Sequence, residues 1–493
     1  MLDLKLVRDD PEGVKAALAR RGPGVADQVD RLLRLDAERR ALVTEVDGLR
    51  AEQKRRGKEV AKAAPGEREQ LLAGLRELAA GLDRAEAALR EADAKLAEAL
   101  AWVPNLPDPS VPAGGEDDAV ELSRWGTVPT FDFPVRDHLE LGELLGAIDT
   151  VRAAKVSGAR FGYLTGPGAL LEFALVRFAM DRLTAAGFVP VVPPVLVRRE
   201  AMFGTGFLPT DEQQIFRTAD DDLYLAGTSE VPLVSYHADE ILDPGTLPRR
   251  YVGFSSCFRR EAGSYGKDTR GIFRVHQFDK VEMVSFVLPE ASGQEHELLL
   301  AREEEILRAL KLPYRVVNIA AGDLGGSAAK KYDCEAWIPS QGTYRELTST
   351  SNCTDYQARR IACRVRERDG NRPVHTLNGT AVAVGRTIVA LLENHQQPDG
   401  SVKIPAALVP YYGAEVIEPP SRLAEATRAP RPGTRDAYAR GVRGAEPSER
   451  AKRAKRRAEP PGESMEIPGE ADPATTLLDY PGRSGRAGRR QRP

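Results

Sequence analysis

The chain of 493 residues has little of what a disulfide-stapled or metal-bound fold requires. Its four cysteines stand far apart and form no C-x-x-C pair, and its six histidines are dispersed along the sequence. A zinc site or a disulfide scaffold would need such residues in close and regular spacing. The sequence therefore argues against both kinds of fold and favours a reducing compartment.

An apolar segment long enough for a membrane is also missing. The longest uncharged apolar stretch, residues 187–197, contains three prolines and is too short to span a bilayer. The N-terminal sequence MLDLKLVRDD reaches charged residues at once, whereas a secretory signal carries an apolar core. We therefore expect a cytoplasmic protein with no membrane partner.

Two common signals for nucleic acids and nucleotides are absent as well. The formal net charge of -3 excludes a global basic field for nucleic acid, although it is compatible with a local basic face. Neither G-x-x-x-x-G-K-[ST] nor G-x-G-x-x-G occurs, so neither common nucleotide-binding loop is available.

The sequence does contain a long heptad pattern between residues 28 and 100. Such a repeat is typical of a coiled coil, and Pro65-Gly66 in its middle is a turn signal. The pattern predicts an antiparallel helical hairpin, with an ordinary hairpin inside a globular core as the alternative. Its apolar positions are Leu32, Leu35, Leu42, Val46 and Leu49, then Leu71, Leu75, Leu78, Leu82, Ala85, Leu89, Ala92, Leu96 and Ala99.

Basic residues gather near the turn of this hairpin, at Lys54, Arg55, Arg56, Lys58 and Lys62. Charge on a coiled coil is commonly no more than a solvated face. A basic-tipped arm is also suited to gripping a phosphate backbone at a distance from the body of a protein. The residues alone leave both interpretations open.

The rest of the chain divides into three parts. Residues 104–120 are rich in proline and glycine, which is typical of a linker. Residues 121–415 combine an amphipathic helix with strand-like runs at 223–230, 250–261, 273–287 and 333–349, which predicts an antiparallel sheet with helices packed on it, an α+β domain. Residues 416–493 have few large apolar side chains and are predicted to be a disordered tail.

One segment of the predicted sheet, residues 251–286, carries side chains that a sheet does not need. Arg259 and Glu261 share one strand face, and Arg274, Phe278 and Glu282 share a face of the next strand. Arginine suits phosphate, a phenyl ring can stack on a base, and a carboxylate can bind an ammonium group. A straight strand would separate Arg274 from Glu282 by about 26 Å, so we expect a bend, a bulge or a folded-back loop. The alternative is an exposed polar face with scattered ion pairs.

Within that segment, FRREAGSYGKDTRGIFRVHQFDKVEM resembles the second signature motif of bacterial-type seryl-tRNA synthetases, a class II family. The resemblance runs from residue 1 to about 413 and includes the hairpin. It implies a class II catalytic domain at 121–415, preceded by a tRNA-binding domain at 1–103 with its coiled-coil hairpin at about 28–100. Four further stretches resemble the first motif, the serine-binding loop, the ATP and metal strand, and the third motif: GFVPVVPP at 187–194, LAGTSEVPL at 225–233, YRELTSTSNCTDYQARR at 344–360 and HTLNGTAVAVGRTIVALLENHQQPDGSV at 375–402.

The resemblance implies an ATP site with three catalytic residues. Arg259 would hold the α-phosphate, and Glu261 would position the adenine amino group or orient that arginine. Arg386 would take the γ-phosphate or one face of the adenine, and Phe278 would stack on the adenine. The implied ATP-binding set is Arg259, Arg260, Glu261, Arg274, Val275, Phe278, Glu346, Leu347, Thr348, Ser349 and Arg386.

The same resemblance implies a metal site and a serine site. Glu346 and Ser349 resemble the ligands of a divalent cation, and oxygen ligands suit Mg²⁺ that bridges phosphates. Thr228 and Glu230 are placed on one face of a strand end, where a hydroxyl and a carboxylate suit a substrate with a hydroxyl and an ammonium group. The implied serine-binding set is Thr228, Ser229, Glu230, Arg259, Glu282, Asn378 and Thr380.

The resemblance as a whole implies a serine–tRNA ligase. It would activate L-serine with ATP to seryl-adenylate and transfer the seryl group to the 3′ end of serine tRNA, with selenocysteine tRNA as an open further substrate. The hairpin would grip the long variable arm of the tRNA, and the active unit would be a homodimer. Two alternatives stay open: a duplicated synthetase that supplies seryl groups to another pathway, and a non-catalytic RNA-binding scaffold.

Overall fold

The structure is a computed structural model that describes residues 1–263, 268 and 270–420. A helical N-terminal region precedes a larger body that mixes helices and strands. The helices within the described residues are α1 (Leu4–Asp9), α2 (Pro11–Ala19), α3 (Asp27–Lys62), α4 (Pro65–Trp102), α5 (His138–Leu145), α6 (Thr150–Ser157), α7 (Pro167–Ala185), α8 (Arg199–Thr205), α9 (Glu230–Ser235), α10 (Ser292–Ala309), α11 (Tyr356–Arg360), α12 (Val384–Asn394) and α13 (Val409–Tyr412). The strands are β1 (Val120–Trp125), β2 (Ile148–Asp149), β3 (Tyr163–Leu164), β4 (Val189–Val191), β5 (Leu196–Arg198), β6 (Leu223–Leu225), β7 (Ile241–Leu242), β8 (Arg249–Phe258), β9 (Gln277–Val287), β10 (Tyr314–Asn318), β11 (Lys330–Ile338), β12 (Thr343–Asn352), β13 (Arg364–Glu367), β14 (Gly370–Pro373), β15 (His375–Ala383), β16 (Val402–Lys403) and β17 (Val416–Ile417).

An eight-stranded sheet forms the centre of the body, in the order β1-β10-β11-β12-β15-β9-β8-β4. Neighbouring strands are antiparallel except for β4 and β8, which run parallel at one edge. Apolar side chains such as Val281 and Met283 of β9 join the core that α7, α10 and α12 also form. The predicted α+β body with an antiparallel sheet is therefore confirmed.

The observed strands differ from the predicted runs in four places. β8 ends at Phe258, so Arg259 and Glu261 lie in the segment after the strand and not on the predicted strand face. The run at 333–349 is a hairpin of two strands, β11 and β12, and Gly342 in its turn takes the left-handed region at φ 62°. β9 begins at Gln277, so Arg274 lies in the loop before the strand. Residues 228–230 are not a strand end, because the Thr228 hydroxyl accepts a hydrogen bond from the Glu230 N–H (3.1 Å) and the chain turns there into α9.

The predicted hairpin is formed by α3 and α4, two helices of 36 and 38 residues. At 1.5 Å per residue each helix is about 55 Å long. In the middle of the seam Val46 packs against Leu82 and Ala85. Ala63 and Ala64 separate the helices, and Pro65 begins α4, because a proline needs no intrahelical N–H partner at a first position. The turn therefore precedes the Pro-Gly pair that the sequence indicated.

The base of the hairpin is fixed to the body through α11. The Tyr356 hydroxyl donates to the carbonyl of Val103 (2.8 Å), and Arg360 Nη2 donates to the carbonyl of Ala101 (2.8 Å). Arg21, from the segment after α2, donates to the carbonyl of Leu324 (3.1 Å) in the body. The N-terminal region therefore contacts two segments that also approach the site described below.

The described body extends beyond residue 415. Val416 and Ile417, which the sequence assigned to the tail, pair with β16, and Ile417 is buried in the main core. The rest of the predicted disordered tail, residues 421–493, lies outside the described residues. The predicted domain boundaries stay predictions. Among the described helices none is long and apolar enough to cross a membrane.

Candidate active site

A cavity of about 300 Å³ opens over the sheet between α9, α12 and the strands β9, β12 and β15. Its walls bring together fifteen of the predicted site residues: Thr228, Glu230, Arg259, Glu261, Arg274, Val275, Phe278, Glu282, Glu346, Leu347, Thr348, Ser349, Asn378, Thr380 and Arg386. Two predicted residues do not line it. The buried Ser229 places its hydroxyl 2.7 Å from that of Ser255, and Arg260 donates its backbone N–H to the carbonyl of Gln214 (2.8 Å).

Two arginines define the cationic end of the cavity. Arg259 donates from Nε to the carbonyl of Gly227 (3.1 Å), and its guanidinium carbon lies 5.4 Å from the centre of the Phe278 ring. Arg386 lies 5.0 Å from the centre of the Phe273 ring and donates to the carbonyl of Glu346 (2.9 Å). Fixed guanidinium groups over aromatic rings form a preorganised site for phosphate oxygens and a flat base.

Glu261 and Arg274 meet through the loop rather than along a strand. Arg274 Nη1 donates to Glu261 Oε2 at 2.8 Å, and Glu261 takes the left-handed region at φ 50°. Asp268 joins them, because its Oδ2 lies 3.7 Å from Arg274 Nε. Arg274 therefore lines the cavity from the loop before β9, whereas Glu282 lines it from the strand itself.

A bulge brings the two predicted metal ligands to one side of β12. Glu346 and Ser349 are three residues apart, so a regular strand would direct them to opposite faces. The register shifts between them: Glu335 of β11 pairs with Glu346 and Cys334 with Thr348, which leaves Leu347 as the extra residue. An extra residue changes the alternation of faces, and Glu346 and Ser349 therefore share the face that looks into the cavity.

Glu346 is held ionised by the cations around it. Enclosure by the cavity walls would raise the pKa of its carboxyl, but Lys331, Arg386 and Arg259 outweigh this and lower the pKa to about 2. An ionised carboxylate beside the Ser349 hydroxyl fits two oxygen ligands of Mg²⁺, an ion that takes its remaining ligands from water and phosphate. No group of three or more His, Cys, Asp or Glu side chains that could hold a metal occurs among the described residues.

Acidic and polar residues form another part of the cavity wall, called its acidic end below. Glu282 of β9 lies across from Thr380 of β15, and the Thr380 hydroxyl is 3.3 Å from Glu282 Oε2. Glu282 also forms an ion pair with Lys280, and both side chains are buried. Asn378 lines the same wall two residues before Thr380. A small substrate with an ammonium group and a hydroxyl finds both kinds of partner at this end.

Glu230 is a second buried acid of the cavity wall. Burial raises the pKa of its carboxyl to about 7, and the charge of Glu282 acts in the same direction. A hydrogen bond from the Gln357 amide (2.7 Å) and the charges of Lys280 and Arg259 act against this rise. Glu230 therefore titrates close to neutral pH, and its environment decides whether it can bind a cation.

The sequence analysis missed three charged residues of the cavity: Asp211, Lys280 and Lys331. Strand alternation could have indicated Lys280, since it precedes Glu282 by two residues on β9. Lys331 lies 2.9 Å from Asp333 and 3.9 Å from Glu346, and its pKa is raised because these carboxylates outweigh the effect of burial. That contact depends on the register of β11 against β12, for which the sequence carries no signal.

Two known families match this chain, one in the N-terminal region and one in the body. Residues 1–107 match the seryl-tRNA synthetase N-terminal domain, and residues 214–395 match the tRNA synthetase class II core domain (G, H, P, S and T). The serine–tRNA ligase of Acidothermus cellulolyticus is 59% identical over 421 residues, which cover 85% of this chain and 100% of that protein. The serine–tRNA ligase of Streptomyces coelicolor is 58% identical over 423 residues, which cover 85% of this chain and 99% of that protein.

Two solved structures are similar over the same extent. The seryl-tRNA synthetase of Pyrococcus horikoshii complexed with ATP aligns with a TM-score of 0.81 at 45% identity, over 85% of this chain and 100% of that one. The cytoplasmic serine–tRNA ligase of Naegleria fowleri in complex with AMP aligns with a TM-score of 0.76 at 30% identity, over 85% of this chain and 99% of that one. Because full-length relatives more than half identical agree with both domain matches and with the fold, the chain belongs to the seryl-tRNA synthetase family of class II aminoacyl-tRNA ligases.

Proposed function

We propose that the cavity activates L-serine with ATP and then transfers the seryl group to the 3′ end of serine tRNA. In the first step a serine carboxylate oxygen attacks the α-phosphorus, and pyrophosphate leaves with the bonding electrons. In the second step a ribose hydroxyl of the terminal adenosine attacks the acyl carbon, and AMP leaves. The observation that carries this proposal is one cavity whose wall contains both fixed arginines and buried acids.

The arginines suit the first step because both reactants are anionic. Arg259 would neutralise the α-phosphate, and its hydrogen bond to Gly227 keeps the guanidinium in place before substrate arrives. Arg386 would bind the γ-phosphate or one adenine face, and Phe278 would stack on the base. Groups fixed in advance stabilise developing charge without a cost of reorganisation at the moment of reaction.

Glu346 and Ser349 would hold Mg²⁺ against the ATP phosphates. The low pKa of Glu346 keeps a negative oxygen available through the physiological pH range. A bound Mg²⁺ would offset the charge of the phosphates. Arg274, held by Glu261, borders this part of the cavity and would contact the nucleotide from the loop.

Serine would bind at the acidic end. Glu230 and Glu282 would accept hydrogen bonds from the substrate ammonium group, while Thr380, Asn378 and the turn at Thr228 would border the side chain. An analogue without the hydroxyl leaves polar groups of the pocket without a hydrogen-bond partner. A site of this kind therefore rejects such an analogue by about 10⁴-fold or more. Alanine is therefore expected to be a very poor substrate.

The helical arm would bind the long variable arm of the tRNA. Lys54, Lys58 and Lys62 are exposed near its tip. Arg55 and Arg56 both bind Glu52, at 2.6 Å each, which leaves the lysines as the better phosphate contacts. Phosphate contacts of this kind weaken with added salt.

The active unit would be a homodimer that covers the exposed apolar side chains near β4, the edge strand of the sheet. Val189 of β4 is 54% exposed and Val192 after β4 is 82% exposed. Tyr236 after α9 is 64% exposed, and its ring lies against that of Tyr251, the partner of Val189 on β8. Several large apolar groups exposed on one side of a protein usually mark an interface. Val192→Glu is expected to give monomers in sedimentation equilibrium, and a wild-type protein that is fully active as a monomer would contradict the proposal. The cytoplasmic location stays a prediction.

Serine-dependent exchange of pyrophosphate into ATP tests the proposed function. The second measurement is the attachment of serine to unfractionated tRNA. Exchange should require serine and should not occur with alanine. Failure of exchange in folded protein would favour the scaffold alternative. Exchange without charging of serine tRNA would favour the duplicated synthetase that serves another pathway, although no described feature of the site favours either alternative.

A further inference from the structure

Gln357 of α11 lies directly behind the acidic end of the cavity. Its side chain is fully buried, and it is absent from the cavity wall. Its Nε2 donates to Glu230 Oε1 (2.7 Å) and to the carbonyl of Thr205 (3.0 Å). Its Oε1 accepts a hydrogen bond from the Thr376 hydroxyl (2.8 Å). The amide therefore has a partner for both N–H groups and for the oxygen.

These partners determine which way the amide faces. The Thr205 carbonyl can only accept a hydrogen bond, so the group beside it must be the NH₂. The same NH₂ reaches Glu230, because the two contacts share one nitrogen. The side of Gln357 that meets the acid is therefore a donor, and a donor stabilises the ionised form of a carboxyl.

Glu230 needs such a donor because the charges around it act on its ionisation in opposite directions. Glu282 faces it with a like charge, while Lys280 and Arg259 face it with opposite charges. The Cys353 thiol is also near it and is itself fully buried. An ammonium group binds to a carboxylate and not to a carboxylic acid, so the ionised form of Glu230 is the form that can hold the substrate.

We propose that Gln357 is a positioning residue for the amino-acid substrate: its amide stabilises the ionised form of Glu230 and directs that carboxylate at the substrate ammonium group. The inference deepens the proposed function and depends on it. Gln357 acts through Glu230 and is not a contact of the substrate. Its helix also carries Tyr356 and Arg360, which bind the base of the arm.

Gln357→Leu removes the donor and keeps a buried side chain of similar size. We expect the KM for serine in pyrophosphate exchange to rise about 10- to 100-fold, the range for loss of a hydrogen bond to a charged group. The KM for ATP should change less than about twofold, because the nucleotide end keeps its contacts. The acid limb of kcat/KM for serine should move to higher pH, because the carboxyl loses a group that favours ionisation. Gln357→Glu should be at least as harmful, since it places another acid beside Glu230 and Glu282.

Gln396→Leu is the matched control. Gln396 is also buried and also donates to two carbonyls, those of Arg136 and Glu393 (3.0 Å each), away from the cavity. It should lower the melting temperature and leave both the serine KM and the acid limb unchanged. Thr376→Val serves if Gln357→Leu does not fold, because it loosens the amide without removing it, and it should shift the acid limb in the same direction by less.

The outcomes separate the inference from the proposed function. If the wild type is active and Gln357→Leu has the same serine KM and the same acid limb, the inference is overturned and the proposed function is not. Equal increases in the KM for serine and for ATP would also overturn it, since they indicate a merely structural loss. A wild type without serine-dependent exchange would overturn the proposed function and this inference with it.

Discussion

The helical arm and the cavity hold their charges in opposite ways. On the arm, pairs such as Arg39–Asp93 and Arg50–Glu86 join α3 to α4 in solvent, and the packing of Val46 with Leu82 supplies the specificity. In the cavity, Glu230 and Glu282 are buried next to one another with Lys280 beside them. Exposed pairs are worth about 1 kcal/mol or less, whereas loss of one buried partner leaves an uncompensated charge. Single substitutions should therefore matter in the cavity and matter little on the arm.

The largest effect is expected for Arg259→Ala in the cavity. The variant loses a charge-assisted phosphate contact worth about 3 kcal/mol of transition-state stabilisation, or more than about 100-fold in exchange rate. Its melting temperature should stay within a few degrees of wild type, as should that of Arg124→Ala, an exposed arginine paired with Glu121. Near-normal exchange in a folded Arg259→Ala would remove Arg259 from the site.

Shortening the arm tests whether it acts only on tRNA. Leu32 and Leu96 pack with the N-terminal helices and Tyr356 at the base of the arm. The deletion should therefore keep this base and replace residues 45–89 by a short turn. We expect serine-dependent exchange to persist, while charging of tRNA falls by tens of fold because the remote phosphate contacts are gone. Loss of exchange would show that the distal arm supports the cavity, and unchanged charging would make the arm structural.

The pH profile tests the buried acids. The pKa of Glu230 is raised to about 7 by burial and by Glu282, so kcat/KM for serine should fall about tenfold per pH unit below that value as the carboxylate is protonated. Its effect on stability has the opposite sign: the folded protein holds this proton more tightly than the unfolded chain, so lowering the pH through 7 favours folding at this group. A flat activity profile from pH 5.5 to 8 would contradict the assigned role.

Glu346→Gln should have a more moderate effect. The amide keeps the shape of the side chain but loses the negative oxygen that suits Mg²⁺. We expect the Mg²⁺ concentration for half-maximal exchange to rise about tenfold, with the serine KM little changed. Glu335→Gln is the control, because Glu335 pairs with Glu346 across the two strands and forms an ion pair with Arg315 (2.6 Å). An equal magnesium requirement in both variants would contradict the metal assignment.

The smallest effect is expected at the tip of the arm. Replacing Lys54, Lys58 and Lys62 together by alanine should raise the tRNA KM severalfold and make its salt dependence shallower, since each phosphate contact contributes to the salt slope. Exchange without tRNA should not change. An unaltered salt slope would mean that these lysines form only a solvated face.

The sequence predicted those features that depend on residues close together in the chain. The heptads of the arm are a property of neighbouring residues, and three of the predicted apolar positions, Val46, Leu82 and Ala85, do pack together in the seam. The strand faces around Phe278 and Glu282 are also local, and both side chains line the cavity. The prediction of a strand end at residues 228–230 was wrong. The Thr228 hydroxyl accepts a hydrogen bond from the Glu230 N–H and the chain turns there, which the pattern of apolar residues does not indicate.

Periodicity and motif spacing belong to adjacent residues, so they were enough to predict the helical hairpin, the α+β body and the residue types of the site. Which charges meet could be seen only in the folded chain. The bulge at Leu347 turns Glu346 and Ser349 to one face, Lys331 reaches Glu346 from another strand, and Gln357 meets Glu230 from α11. Each of these contacts depends on strand register or on the packing of distant segments, and the ionisation of a buried acid is the sum of such contacts.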